Sequence, residues 1–454
     1  MSRTAWGVAA GLVVFAGAAA LWGPDALSPR SGAPVDPLAR FLLAVAVVLV
    51  VSHLFGHLLR RWGQPAVLGE ILGGIVLGPS LLGLMWPGAV AWLFPAGVLD
   101  GLGKAAQLGL VVFMFLLGCE LRLGRPEQDE AGAVRPRSVA LVTVGGMGLP
   151  FLAGLGLAAA AGSRLSGTGG DGTAHRLFLG LALAVTALPV LARILVDLRL
   201  ERTGVGALSL SAAAFGDAVA WLALTLIIAG AGGTADLTHT AGLAVALALV
   251  TLLCVRPALR LLVDRVESTQ LLTVVLVAGA VTYAALTQLI HLHPLIGAFL
   301  FGVAVPRGRP AVERLAGQLQ GFTLTILLPL FFAGVGLTTS IGLLGGDAGR
   351  WLLFAVICVA AQLTKFAGAA GAARLAGLPA REAAQVGVLM NCRGVTELVI
   401  ASVGLQAGLV NEFGFTILVL IAVLTTAVTG PLTRRLMPGE RRRVPAAPEE
   451  RTAT

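Results

Sequence analysis

The chain has 454 residues, 57% hydrophobic and only 12% charged, with a formal net charge of +9. At a mean hydropathy of +0.91 it carries more apolar surface than a water-soluble fold of this length hides, so the medium around most of it is lipid. The basic residues sit in short loops between apolar runs, which excludes a nucleic-acid partner and fits the enrichment of Lys and Arg in cytoplasmic loops.

An apolar run at 5–22 follows Arg3 and precedes a Pro/Ser/Gly-rich stretch. It reads either as a cleaved signal peptide or as a retained first helix. Residues 1–37 therefore form a leader or first-helix segment with its linker. Thirteen apolar stretches of spanning length follow, at 38–59, 65–83, 102–122, 138–161, 173–196, 207–231, 237–262, 269–290, 293–308, 315–341, 350–373, 382–408 and 412–433. The expected fold class is thus an all-α polytopic membrane protein of about 13 helices, or 14 with the first run, its transmembrane domain covering 38–435 and a short basic tail covering 436–454. The 60 glycines suit close helix packing and broken helices.

Alternate loops hold most of the arginines: Arg60 and Arg61; Arg122, Arg125, Arg135 and Arg137; Arg199 and Arg202; Arg256, Arg260 and Arg265; Arg307, Arg309 and Arg314; Arg374 and Arg381; and the tail from Arg434 onward. The opposite loops offer little beyond Lys104, Arg164, Arg176 and Arg350. This asymmetry places the Arg-rich loops and the C-terminus in the cytoplasm of a bacterial-type plasma membrane.

An internal repeat is visible. Gln64-Pro65-Ala66-Val67-Leu68-Gly69 opens a Gly-rich helix, as does His293-Pro294-Leu295-Ile296-Gly297, and each is followed by a helix with a Phe/Leu/Gly cluster, Phe113 to Gly118 and Phe331 to Gly336. Six spans (38–231), one linker span (237–262) and six more (269–433) make two six-helix units of opposite topology, a design of many secondary transporters.

Ionisable groups inside apolar spans are costly and need a reason. Asp217 lies mid-span with no charged neighbour in sequence. In Asn391-Cys392-Arg393-Gly394-Val395-Thr396-Glu397, Arg393 and Glu397 are four apart, so on a continuous helix they share a face; Gly394 permits a local break. Lys365 lies too deep in its span to snorkel and calls for a buried partner. Glu70, nearer a helix end, faces a polar crevice or takes a part in the site. Pro189 in Thr186-Ala187-Leu188-Pro189 removes a helix hydrogen bond, and the freed carbonyls with the Thr186 hydroxyl are oxygen ligands of the kind a dehydrated alkali cation needs. The four cysteines, Cys119, Cys254, Cys358 and Cys392, show no metal-ligand spacing and read as packing residues. No cofactor and no resident metal are expected. His53 with His57, and His291 with His293, pair with no serine, which argues against an intramembrane enzyme.

Together these segments resemble the monovalent cation:proton antiporter-2 family: Pro65 to Gly83, the stretch Thr186-Ala187-Leu188-Pro189-Val190-Leu191-Ala192-Arg193-Ile194-Leu195, Gly216-Asp217, Asn391 to Leu398, and the closing run Phe415 to Pro431. The resemblance covers about 38–435 and is greatest to plant cation/proton exchangers and their bacterial relatives. It implies two crossed, broken helices at 173–196 and 382–408, Asp217 as the ion-binding carboxylate, Lys365 as a basic residue facing the site, and a homodimer joined through the other helices. Family members usually carry Asp or Asn before the key Asp, where this chain has Gly216. The short tail after 435 leaves no room for the nucleotide-binding regulatory domain of the potassium-efflux relatives.

One buried carboxylate accounts for obligatory exchange, since a proton and a cation compete for it. Empty, it is an anion whose passage through apolar surroundings costs about 2.5–3.5 kcal/mol, which suppresses unloaded crossing about a hundredfold. The expected function is exchange of potassium or sodium for a proton, electroneutral because Gly216 removes a second proton carrier. The alternative is an ion-coupled carrier of a small organic ion on a related scaffold.

Overall fold

The computed structural model describes residues 36–120, 135–169, 172–200, 203–231, 237–266, 268–290, 294–306 and 309–437. The 5–22 run, Arg122, Arg125, Arg202, His291, His293, Arg307 and the tail beyond 437 lie outside the described residues.

Helix α1 (Pro37–Arg61) starts behind Asp36, whose side chain accepts from the Leu38 N–H at 2.9 Å, and ends on Arg60 and Arg61. Helix α2 (Ala66–Leu77) begins after Pro65 and stops at Gly78, short of the expected 83, because Pro79 cannot continue the ladder. Two short helical turns lead to α3 (Ala96–Glu120), followed by α4 (Pro136–Ala161). The stretch expected as a broken helix over 173–196 is interrupted, as α5 (Gly172–Ala184) and α6 (Leu188–Asp197), with residues 185–187 non-helical. The break falls ahead of Pro189, since proline fits the first turn of a helix and disfavours helical backbone in the residue before it.

Helix α7 (Gly204–Ala231) precedes the linker, where α8 (Leu237–Val250) runs into α9 (Arg256–Arg265) through one wide turn. Then come α10 (Thr269–Leu289), the eleven-residue α11 (Pro294–Ala304), and α12 (Pro310–Phe322) joined to α13 (Leu328–Thr338). The chain closes with α14 (Ala348–Leu375), α15 (Ala380–Met390), α16 (Val395–Gln406) and α17 (Glu412–Leu436). Residues 391–394 interrupt the second broken helix. Among the described residues, ten helices are long and apolar enough to cross a membrane. The expected spans at 173–196, 293–308 and 382–408 fall on shorter elements.

The helices sort into two groups, α4–α7 with α14–α17 and α1–α3 with α10–α13, which meet mainly where α2 touches α17 and α13 touches α16. Packing across the repeats is exchanged. The Gly-rich α2 lies against α13, and the Gly-rich α11 against α3. A Cβ on Gly336 would come within 2.6 Å of the Ile75 nitrogen, and one on Gly118 within 3.0 Å of the Gly302 Cα. At both contacts backbone meets backbone, which only glycine allows. The same four segments that mark the sequence repeat thus form two matching contacts. In the other group α4 crosses α14, where a Cβ on Gly145 would sit 2.6 Å from the Gly368 carbonyl oxygen.

Several loops at each end of the bundle are joined by polar contacts. Arg309 pairs with Asp264 at 2.6 Å, and Arg381 donates to the Leu436 and Met437 carbonyls at 2.7 and 2.8 Å, all at the Arg-rich end. At the opposite end Asn411 donates to the Arg164 carbonyl at 2.9 Å, beside an isolated bridge between Ser166 and Val410.

Candidate functional site

The two interrupted helices cross at their breaks and hold each other there. Thr186 donates its hydroxyl to the Met390 carbonyl at 2.9 Å, and the Ala187 N–H donates to the Cys392 carbonyl at 3.0 Å. Thr426 of α17 closes the second break on both sides, donating to the Arg393 carbonyl at 2.5 Å and accepting from the Arg393 N–H at 3.1 Å. Gly394 is required by proximity, because a Cβ there would lie 2.6 Å from Val190 Cγ2.

A helix that stops inside a membrane leaves its last carbonyls and first N–H groups without partners. At the end of α5 two basic side chains take up the carbonyls: Arg393 donates to Ala182 at 3.1 Å and to Leu183 at 2.6 Å, and Lys365 Nζ donates to Ala184. At the end of α15 the Asn391 amide donates to Gly387 at 3.2 Å and to Gln362 of α14 at 3.3 Å. Positive groups at C-terminal helix ends match the direction of the helix dipole.

The N-terminal ends of α6 and α16 both face Asp217 on α7. Thr396, in the first turn of α16, donates to Asp217 Oδ2 at 3.3 Å, and the backbone N–H of Leu188, the first residue of α6, faces the same carboxylate. Asp217 is 4% exposed, and its Oδ1 has no hydrogen-bond partner. Asn391 Oδ1 and Glu397 Oε2 are likewise buried without one. Unpaired buried acceptors are rare in folded proteins; these three lie on residues at or bonded to the second break, and each is an oxygen of the kind that accepts a proton or a hard cation.

The crossing brings together most of the residues singled out in the sequence. Arg393 and Glu397 pair at 2.7 Å, fully buried, across the interruption that Gly394 permits rather than along a continuous helix. Lys365, also fully buried, finds its partner in a carbonyl rather than a carboxylate. Gly216 points elsewhere: a Cβ there would face Met147 Sδ at 3.2 Å on α4, so Met147 fills the space a larger residue would claim. Pro189 is the second residue of α6. Glu70 sits on α2 in the other helix group, half-buried, with no hydrogen bond to any of them among the described residues.

Thr396 is the site residue that sequence reasoning missed. Replacing it with Val removes a donor to a charged group and one neutral oxygen, and the expected result is an apparent KM for the transported cation about tenfold higher. Thr396→Ser retains the hydroxyl and is expected to stay within about twofold of the parent, as read from cation titrations of exchange in vesicles.

Interrupted helices crossing beside a buried carboxylate are an arrangement at which secondary transporters build their sites. The chain belongs to the sodium/hydrogen exchanger family, whose transmembrane-domain pattern matches residues 38–438. It is 33% identical to cation/H(+) antiporter 19 of Arabidopsis thaliana over 92% of this chain and 52% of that protein. It is also 33% identical to the Na(+)/H(+) antiporter NhaS4 of Synechocystis, over 89% of this chain and 98% of that one. The chain spans about half the length of the Arabidopsis relatives it matches. Its fold is similar to that of the sodium proton antiporter MjNhaP1 from Methanocaldococcus jannaschii, with a TM-score of 0.64 at 13% identity over 89% of this chain and 98% of that one.

Proposed function

We propose that this chain is a secondary antiporter that exchanges a monovalent cation, sodium or potassium, for a proton, with Asp217 as the group the two share. The observation that carries this reading is one buried carboxylate placed where the N-terminal ends of two interrupted helices converge. Relatives over nearly the whole chain are named as cation/proton antiporters, which supports the same assignment.

A proton and an alkali cation each add one positive charge to the same carboxylate, so the two loaded forms carry equal charge and cross under equal electrostatic cost. The unloaded anion lacks that compensation and stays at one face. Thr186, Thr396 and Asn391 supply neutral oxygens beside the carboxylate, while Lys365, Arg393 and Glu397 hold the broken helix ends in place. The protein works in a bacterial-type plasma membrane with its C-terminus in the cytoplasm, as a homodimer joined through α1–α3 and α10–α13.

The test is a proton-gradient dequenching assay in inside-out vesicles, with sodium, potassium and lithium added in turn. At least one alkali cation is expected to collapse the gradient, at a rate indifferent to imposed membrane potential. A potential-dependent rate with two protons per cation would remove the electroneutral part of the proposal. Inactivity of all three cations alongside collapse by a small organic ion would transfer the chain to the organic-ion carriers.

A further inference from the structure

The linker helix between the two repeats ends in a charged pocket that cation exchange does not use. The Val245–Arg265 span is among the least buried in the molecule, and Leu252 and Leu253 are 48% and 71% exposed, so this stretch faces lipid. The apolar run stops at Arg256. Arg256 and Arg260, one turn apart on α9, line a cavity of about 400 Å³ together with Arg309, Asp264, Val303 and Pro306. Asp264 neutralises Arg309 at 2.6 Å, while neither Arg256 nor Arg260 has a carboxylate partner among the described residues. Among the described residues the pocket therefore holds three guanidinium groups against one carboxylate, where the apolar helix gives way to headgroup level.

Guanidinium forks match the paired oxygens of a phosphate, and basic pockets between membrane helices attract anionic headgroups. A soluble phosphate would engage the same forks but leave the adjoining leucines uncovered. We propose that the pocket binds the phosphodiester of an anionic membrane lipid, with its acyl chains lying along Leu252 and Leu253. The lipid would pin the linker, and through it the junction of the two repeats, at a fixed depth.

The test uses the purified full-length protein in detergent, titrated with phosphatidylglycerol, phosphatidylcholine or glycerol phosphate. Thermal unfolding and native mass spectrometry are the readouts. Phosphatidylglycerol alone is expected to raise the unfolding midpoint and stay bound. Arg256→Gln with Arg260→Gln is expected to weaken that effect about thirtyfold while leaving the lipid-free midpoint unchanged, since both side chains are exposed. Arg135→Gln with Arg137→Gln, in another loop at the same end, is expected to bind as the parent does. Should the double glutamine variant fail to fold, Arg256→Lys with Arg260→Lys keeps the charge and loses the forks, and weaker binding is again expected. Parent-like lipid binding by the folded variants would overturn the proposal, and so would an equal shift from glycerol phosphate.

Discussion

Asp217→Asn is expected to abolish cation-driven proton flux while leaving the protein folded. Asparagine keeps the shape and the acceptor oxygen that meets Thr396, so the hydrogen bond now at 3.3 Å survives. What disappears is the negative charge. A cation entering the crossing would then be buried with no counter-charge at a cost of about 2.5–3.5 kcal/mol, which corresponds to a loss of at least about a hundredfold. The proton loses its acceptor altogether, so the two half-reactions fail together. Vesicle exchange with each alkali cation reads the loss, and size-exclusion and thermal profiles like the parent's show that it is not misfolding. Removing one buried charge leaves the melting temperature unchanged or higher. Sustained exchange in the asparagine variant would sink the assignment of Asp217.

The second large effect is on stability. Arg393 and Glu397 are fully buried and paired at 2.7 Å. Losing either partner strands a charge in a low-dielectric interior and is expected to cost about 3–5 kcal/mol. Arg393→Met is the more severe substitution, because it also orphans the Ala182 and Leu183 carbonyls at the end of α5. Glu397→Leu leaves those contacts intact. The double variant Arg393→Met/Glu397→Leu is expected to recover part of the loss, since no lone charge remains, and thermal unfolding of the four proteins measures the coupling. Single variants as stable as the parent would mean that water reaches the pair.

The sequence reading and the structure agree where a residue type is out of place in lipid. Asp217, Lys365, Arg393 and Glu397 stand out because charges are rare in apolar runs, and the crossing gathers all four. Thr396 and Thr426 carried no such signal. Threonines in membrane helices routinely bond the carbonyl one turn back, as Thr287, Thr429 and Thr433 do here, so residue type alone does not mark the ones that reach across. The place of the first break was legible only to within a few residues, because Pro189 announces an interruption without saying on which side it falls. The partner of Lys365 was out of reach for a related reason. A backbone carbonyl leaves no mark in the sequence, and Ala184 becomes an acceptor only once α5 stops there. The Arg256–Arg309 pocket joins residues more than fifty positions apart.

The mutual bonds at the crossing, from Thr186 to Met390 and from Ala187 to Cys392, make both breaks one rigid cage. Under the proposed exchange, neither half would slide past the other without rupturing them, so the cargo is expected to travel inside its enclosure rather than hop between fixed stations. If exchange requires such a bundle to swing, turnover is expected to be limited to microseconds to milliseconds per trip, far below the traffic of a pore. In a bilayer cooled into its gel phase such a shuttle stalls, whereas a water-filled conduit would go on conducting.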